Sequence, residues 1–323
     1  MVERFGVRMV NRSILILLIL SFLSCTKEVQ IDIPQYDELL NIEGRIEVGK
    51  HPIVFISKNL NIYESTSLAS YINSFVYDAE VYVKIGEDSV KLEPVLLNDL
   101  SNEALLTVSE ILSVEPEEAS LLPMKVYTTL DSNIQGRVNE FHELSVYYED
   151  KFVQGRTYIP SSVSLDSLLW ASSPENSDYG TSVGSLSDPV GTFNAYKWEV
   201  KRINLKNGVP KDLIFKRPRN GVFNDDLIDG MTIELDFPNP MKRKDSTHLK
   251  EFRRFFKIGD TVVVKFSTME ENVFEFYKTM RAQQSSSGNP FSTPVNVKTN
   301  LTGPAIGIWA GFSPSMDTLI CLP

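Results

Sequence analysis

From residue 40 onward, hydrophobic and polar side chains alternate along much of the chain. Apolar residues or glycine occupy every second position over 40–48, and charged or amide side chains lie between them. A period of two is typical of a β-strand with one buried face and one face in water. The alternation recurs over 79–85, and 53–58 follows a turn containing Gly49 and Pro52 as the returning strand of a hairpin.

Further short strands with turn residues between them, including one at 144–148, complete the first half of the pattern. Together they predict an immunoglobulin-like β-sandwich over residues 38–160, without the cysteine pair of antibody domains. The segment 101–123 departs from this pattern and favours either a short helix or a long loop. A strand that runs into Pro160 ends this half, because proline removes a backbone donor and stops strand pairing.

Residues 161–323 are predicted to form a second β domain, a sandwich or a barrel-like sheet. It follows a stretch rich in serine and glycine, 172–188, whose composition predicts a solvated loop. Period-two or continuous apolar runs predict its strands at 196–203, 231–237, 261–267 and 306–312.

The period changes to that of a helix near residue 269. Val273, Phe276, Tyr277 and Met280 are spaced at i, i+3, i+4 and i+7, which places them on one stripe of a helix over about 269–284. Thr268 and Glu271 fit a capping box at its start. The stripe is typical of a face that packs on a sheet, so the fold class is mainly β with one packed helix.

The first 25 residues have the pattern of a lipoprotein signal peptide. Arg4, Arg8 and Arg12 precede the short apolar run 14–20, and Ser24 precedes Cys25. That run is too short to span a bilayer as a helix. We therefore expect a signal peptide over 1–24, acylation of Cys25 and a polar tether over 25–37, with plain secretory cleavage as the alternative.

Composition and charge narrow the possible partners. The chain has 323 residues, is 42% hydrophobic and carries a formal net charge of -10. Nucleic acid is excluded as a partner, because binding to phosphates needs basic patches that this acidic chain lacks. With Cys25 acylated, Cys321 has no partner for a disulfide or a thiolate metal cluster and is predicted to be buried.

No motif in the sequence supports catalysis, a metal or a cofactor. The stretch 180–184 fits G-x-S-x-G, but Ser182 lacks the preceding buried strand and following helix of a nucleophile elbow. The histidines His51, His142 and His248 do not have metal-ligand spacing. The acidic segment 225–229 is predicted to be a turn because its spacing differs from that of an EF-hand loop, and calcium binding there stays open.

A binding site is expected near the C-terminal end of the predicted helix. The loop 283–300 contains Phe291 between two prolines, a backbone stiff enough to hold the ring outward, with Tyr277 and Trp309 nearby. The alternative is that Phe291 covers the core over the end of the helix.

Several short motifs, taken in order, resemble one protein family. They are the lipoprotein start, Asn41-Ile42-Glu43-Gly44, Thr157-Tyr158-Ile159-Pro160, Asp188-Pro189 with Asn194-Ala195-Tyr196, the turn at 225–230, Gly259-Asp260, and the closing GNPFSTPVNVKTN…GIWAG run. The mature chain resembles the Bacteroidetes lipoproteins grouped as domain of unknown function 4249, although Thr302-Gly303-Pro304 departs from the more glycine-rich version. The resemblance implies an outer-membrane lipoprotein that accompanies a TonB-dependent receptor, and it implies no catalytic residues.

These features favour an accessory lipoprotein that binds a ligand or a TonB-dependent receptor in an uptake system. Its anchor would be palmitate or another acyl chain in the outer membrane, and Lys27 and Glu28 leave the periplasmic and cell-surface faces both open. The alternatives are a structural or adhesive envelope protein without a transported ligand and, third, a hydrolase.

Overall fold

The structure is a computed structural model that describes residues 38–59, 67–218, 220–240, 249–286 and 295–322. The predicted signal peptide and tether, Cys25 and Phe291 lie outside the described residues. In the part of the chain that is described, no helix is long and apolar enough to span a bilayer.

The described chain is mainly β, which confirms the predicted fold class. In chain order, the strands are β1 (Leu40–Glu47), β2 (Ile53–Lys58), β3 (Glu80–Ile85), β4 (Asp88–Leu96), β5 (Lys125–Thr128), β6 (Glu140–Tyr148), β7 (Lys151–Ile159), β8 (Ser167–Ser172), β9 (Tyr179–Ser187), β10 (Ala195–Arg202), β11 (Leu205–Lys206), β12 (Val209–Pro210), β13 (Val222–Asn224), β14 (Thr232–Phe237), β15 (Phe256–Lys257), β16 (Thr261–Met269), β17 (Leu301–Thr302) and β18 (Ala305–Ile320). The helices are α1 (Leu68–Asn73), α2 (Asn102–Leu112), α3 (Pro116–Ser120) and α4 (Glu271–Ser286).

One sheet of twelve strands runs through both halves of the chain, in the order β13-β10-β16-β18-β1-β2-β5-β4-β3-β6-β7-β17. Its centre is the long strand β18, which pairs in parallel with β1 and then antiparallel with β16. The sheet curls so that β7 lies against β18, where the Gly311 amide donates to Thr157 Oγ1 at 3.1 Å. The curl encloses the first core, which contains inward-facing side chains of β1, β3, β6 and β7 together with Trp309.

A smaller sheet, formed by β8, β9, β14 and β15, covers the other end of the large sheet. Between the two sheets lies the second core, with Tyr196, Phe237 and Phe266 at its centre. This arrangement is the second sandwich of the predicted fold. Cys321 is fully buried there, as predicted, and burial raises the pKa of its thiol to about 12.

The predicted domain boundary at residues 160/161 falls between β7 and β8, and the two cores lie on either side of it. Trp309 and Leu301 nevertheless return from the C-terminal half to the first core, and residues Glu38–Pro323 form one compact unit. The division into two separate domains stays a prediction.

The serine- and glycine-rich stretch 172–188 is not the predicted loop, because most of it forms β9, the central strand of the smaller sheet. Its glycines allow close packing: a methyl group at Gly180 would lie 2.2 Å from the Ala171 carbonyl oxygen, and one at Gly184 would lie 2.7 Å from the Phe237 ring. Ser182 is fully buried and donates to the Phe237 carbonyl oxygen at 3.0 Å. The G-x-S-x-G spacing therefore reflects packing of the strand.

The single predicted long helix is confirmed as α4, and its apolar stripe packs on the large sheet around Ile308 and Phe312. The predicted capping box is wrong. Thr268 still belongs to β16, and its hydroxyl accepts the Val163 amide at 3.0 Å, so pairing with β10 and β18 takes precedence over helix capping at this position. The segment 101–123, for which the sequence favoured either a short helix or a long loop, contains the two helices α2 and α3.

Acid should destabilise the first core through His142. This residue is fully buried, its Nε2 accepts the Arg137 amide at 3.0 Å, and burial lowers its pKa to about 4. An unfolded histidine titrates near pH 6.5, so the unfolded state binds a proton that the folded state excludes. The unfolding free energy contributed by this group should therefore decline as the pH falls from about 6.5 toward 4, by about 2 kcal/mol at pH 5.

Urea denaturation at about pH 7.5 and about pH 5 measures this loss. His142→Gln should shrink the difference between the two pH values, whereas the control His51→Gln should leave it in place. An undiminished difference in His142→Gln would assign the acid sensitivity to other groups.

Candidate functional site

A cavity of about 670 Å³, called the cleft below, lies over one face of the large sheet. Its floor consists of residues 41–45 of β1 and of Lys197, Glu199 and Arg202 of β10, with Ile308 of β18 beside them. Helix α4 forms one wall and the end of α2 the opposite wall, and the segment 211–217 closes a third side. The cleft therefore rests on paired strands, which hold the floor residues in fixed positions.

The floor is charged because period-two alternation directs Asn41, Glu43, Arg45 and Glu47 to one face of β1. The neighbouring strands contribute charged residues to the same buried layer. The complete buried charge network consists of Arg45, Glu47, Glu110, Lys197, Glu199 and Lys265.

Glu47 is the centre of this network. Lys265 Nζ lies 2.9 Å and 3.1 Å from its two carboxylate oxygens, Lys50 Nζ lies 3.0 Å away, and Arg45 donates directly to it. Burial alone would raise the pKa of Glu47, but the charges of Arg45, Lys265 and Lys50 outweigh burial and hold it well below its usual value. Glu47 is therefore ionised in the folded protein.

Arg45 connects this centre to the cleft. Its guanidinium lies 3.5 Å from Glu110 and 3.8 Å from Glu199, and both Arg45 and Glu110 line the cavity. The Nε of Arg45 is buried and has no hydrogen-bond partner among the described residues. Buried donors of this kind are uncommon in proteins and often mark functional sites.

A second pair, Lys197 and Glu199 on β10, lies deeper in the cleft, with Nζ 3.0 Å from the carboxylate. Burial, together with the charges of Arg45, Lys265 and Arg217, lowers the pKa of Lys197 to about 8 despite the attraction of Glu199. The surrounding cations, Lys197 first, outweigh burial at Glu199 and lower its pKa to about 2.

The third side of the cleft is held in place by Asp212. The guanidinium of Arg202 donates to both oxygens of its carboxylate, at 2.8 Å and 3.2 Å, and Lys216 also donates to it. Bidentate contacts of this kind fix geometry as well as supplying energy. The ion pairs therefore anchor the segment that carries Phe215 and Arg217 to the end of β10.

The wall formed by α4 is mostly apolar. It contributes Phe276, Tyr277 and Met280, which face Ile308 and Phe215 across the cavity. Beyond this wall lies an adjoining cavity of about 500 Å³, and the two cavities share the lining residues Arg217, Tyr277, Met280 and Gln284. The two cavities therefore form one extended site along α4, with a charged floor in the cleft and an apolar wall on the helix.

The predicted binding residues are not brought together. Tyr277 lines the cleft, and burial raises the pKa of its hydroxyl to about 12. Trp309 is fully buried in the first core, on the opposite face of β18 from Ile308, and its Nε1 donates to the His142 carbonyl oxygen at 2.9 Å. Phe291 lies outside the described residues.

The residues of the charged floor were missed by sequence reasoning. Polar positions in an alternating strand are normally those that face water, and nothing local distinguishes a polar face that is covered by helices. The available signal was the unusual density of opposite charges within strongly apolar strands, as in Lys197 and Glu199 of β10 or Lys265 of β16.

The acidic segment 225–229 forms the predicted turn. Single carboxylate oxygens of Asp188, Asp225 and Asp229 lie within 4.8 Å of one another. Each of these carboxylates also accepts a backbone amide: from Gly230, Asn194 and Gly191 respectively. These hydrogen bonds explain why the three carboxylates lie together: they stabilise the turn.

Comparison with protein families assigns the chain to one of them. No curated protein matches the chain. The family model described as a domain of unknown function (DUF4249) matches residues 26–317, a span that begins ahead of β1 and ends within β18. Because this match covers nearly the whole chain, as the ordered motifs of the sequence implied, the protein belongs to the DUF4249 family.

Proposed function

We propose that the protein is a lipid-anchored accessory protein of the bacterial outer membrane that binds a ligand in the cleft as part of an uptake system with a TonB-dependent receptor. The observation that carries this proposal is the cleft itself. Its volume of about 670 Å³ lies within the range of about 300–1,000 Å³ that is usual for small-molecule sites. Apolar walls with a few fixed polar groups are the usual composition of such sites.

The buried charge network is better explained by ligand binding than by a contribution to folding stability. Replacing buried ion pairs by well-packed hydrophobic residues is often neutral or stabilising, so folding alone does not require them. Held between sheet and helices, these charges are already oriented before a ligand arrives, which reduces the entropic cost of binding.

A small molecule should therefore copurify with the protein from its own cells. Native mass spectrometry of the protein purified from cell envelopes should show a species heavier than the polypeptide alone. Met280→Trp, which fills the cleft from the α4 wall, should remove this species, whereas Leu130→Trp, at an exposed position that does not line the cleft, should keep it. Identical spectra for both variants would count against the cleft and favour a structural or adhesive envelope protein.

The proposed lipid anchor at Cys25 can be tested independently of ligand binding in the cleft. Cys25→Ala should move the protein from the membrane fraction to the soluble fraction and abolish incorporation of labelled palmitate, because the acyl chain is attached through that thiol. Cys321→Ala is the matched control, since this thiol is buried in the second core. Membrane association and labelling that persist in Cys25→Ala would exclude the lipid anchor.

A further inference from the structure

Two residues of opposite charge that line the cleft, Glu43 and Arg217, form no ion pair with a described residue. Glu43, on β1, lines the cleft and makes no side-chain hydrogen bond or ion pair with a described residue, although Arg217 and Arg45 lie close enough for their charges to act on its carboxyl. Arg217 lies where the two cavities meet, is exposed, and forms no ion pair with a described residue; its guanidinium carbon lies 5.6 Å from the centroid of the Tyr277 ring.

The other charged side chains of the cleft are largely satisfied from within the protein. Asp212 is held by Arg202 and Lys216, and Lys211 lies 2.6 Å from Asp260. Lys197 is paired with Glu199 in the buried charge network. Among the described charged residues that line the cleft, Glu43, Glu115 and Arg217 form no ion pair, and Glu43 is the carboxylate that a paired strand of the floor holds in place.

The end of the site beyond Arg217 is basic. The adjoining cavity is lined by Arg217, Lys278 and Arg281, and no carboxylate lines it among the described residues. Lys278 is paired with Glu275 at 2.8 Å, but Arg281 donates only to the neutral Asn220 side chain, at 2.6 Å. Two guanidiniums can therefore receive an anionic group here, and guanidinium matches the planar geometry of a carboxylate.

We propose that the ligand is a short apolar peptide in its zwitterionic form, with its ammonium group at Glu43, its side chains along the α4 wall and its carboxylate at Arg217 and Arg281. This inference rests on the proposed function and names the ligand class for the same cleft. An anion alone would leave Glu43 unpaired, and a cation alone would leave the two guanidiniums unpaired. A peptide supplies both an ammonium and a carboxylate group and places apolar side chains against Phe276, Tyr277 and Met280.

The protonation behaviour of Glu43 agrees with this assignment. Burial raises the pKa of its carboxyl even though the charges of Arg217 and Arg45 act to lower it. The nearby arginines therefore do not fully offset the cost of burying the negative charge of Glu43. An ammonium group brought next to the carboxylate would stabilise that charge.

The test uses a library of tripeptides built from alanine, leucine and phenylalanine, in three forms: free, N-acetylated and C-amidated. Binding is measured by isothermal titration calorimetry at about pH 7. For the wild-type protein, acetylation and amidation should each weaken binding at least about tenfold, because each removes one charge-assisted contact from a desolvated site. Equal affinity of the free and blocked forms would overturn the proposal.

Two variants assign the ends. In Glu43→Gln, N-acetylation of the peptide should no longer weaken binding, whereas C-amidation should weaken it as in wild type. In Arg217→Gln, C-amidation should weaken binding less than in wild type, whereas N-acetylation should weaken it as before. Glu80→Gln, at an exposed position outside the cleft, is the control and should behave like wild type. An acetylation penalty of unchanged size in Glu43→Gln would overturn the assignment.

The outcome separates this inference from the proposed function. If no tripeptide binds, yet native mass spectrometry finds a small molecule that Met280→Trp excludes, the peptide assignment falls and the ligand-binding cleft stands. If neither a peptide nor a copurified molecule is found, both proposals fall.

Discussion

Glu47→Gln should lower the free energy of unfolding by about 3–5 kcal/mol, the usual cost of breaking a buried ion pair by removing one partner. The carboxylate is almost fully buried and faces three cations: Arg45, Lys50 and Lys265. Glutamine retains the shape and one oxygen acceptor but removes the charge. Arg45 and Lys265 would then repel each other in a largely buried site, where Glu110 on α2 lies 3.5 Å from both and Glu199 lies 3.8 Å from Arg45.

Urea denaturation at about pH 7 measures this loss. The folded pKa of Glu47 lies well below its unfolded value, so the stabilisation from ionising this group is fully present at neutral pH, declines once the pH falls below the unfolded pKa of about 4.3, and is gone below the folded pKa. Glu80→Gln is the matched control, because it removes the same charge from an exposed pair with Lys91 at 3.3 Å. That change should cost less than about 1 kcal/mol. A Glu47→Gln variant as stable as the control would mean that the network contributes nothing to folding.

The cost of Glu47→Gln also bears on why the network exists. Three acids and three bases beneath one cleft must all be retained together, because losing any one leaves a buried charge without compensation. Burying six charged side chains costs desolvation free energy that their mutual attraction need not exceed, so stability alone does not explain the network. The network does give the cleft a fixed electrostatic pattern. Charged groups that are already desolvated and oriented interact strongly with a ligand that enters the same low-dielectric space.

The strands were predicted well wherever alternation was regular. The predicted 53–58 coincides with β2, and 79–85 differs from β3 by one residue. Hydrophobic periodicity is set locally by which face is buried, and for this reason it can be read from sequence. Strand β9 was missed because its inward positions are filled by glycine and serine, whose small size suits close contact with Ala171 and Phe237 but resembles loop composition.

Long-range pairing could not be predicted in the same way. The apolar run at 306–312 was expected to close a second core, but β18 is more than twice as long and pairs with β1, at the opposite end of the described chain. That pairing turns alternate residues of β18 to different cores: Ile308 faces α4 and the cleft, while Trp309 faces the first core. The cleft depends on the same pairing, because it brings Glu43 beside Ile308.

Trp309→Ala should therefore act as a core substitution and cost about 3–5 kcal/mol of unfolding free energy. The indole is fully buried, a methyl group at Gly44 would lie 2.5 Å from it, and a methyl group at Gly155 would lie 2.9 Å from its Cβ, so both glycines leave room for this side chain. Alanine would create a large cavity and leave the His142 carbonyl oxygen without the indole donor at 2.9 Å. The loss of this hydrogen bond adds to the cost of the substitution.

Trp309→Phe separates packing from hydrogen bonding, since it retains an aromatic ring and removes only the indole donor and part of the volume. It should fall between wild type and Trp309→Ala in urea denaturation. If Trp309 were instead a binding residue, as its position near the predicted loop indicated, Trp309→Ala would leave the unfolding midpoint unchanged and weaken ligand retention in native mass spectrometry. The side chain contributes to the face of β18 that points away from the cleft, so we expect the reverse: a large loss of stability, with ligand retained by whatever fraction of the variant remains folded.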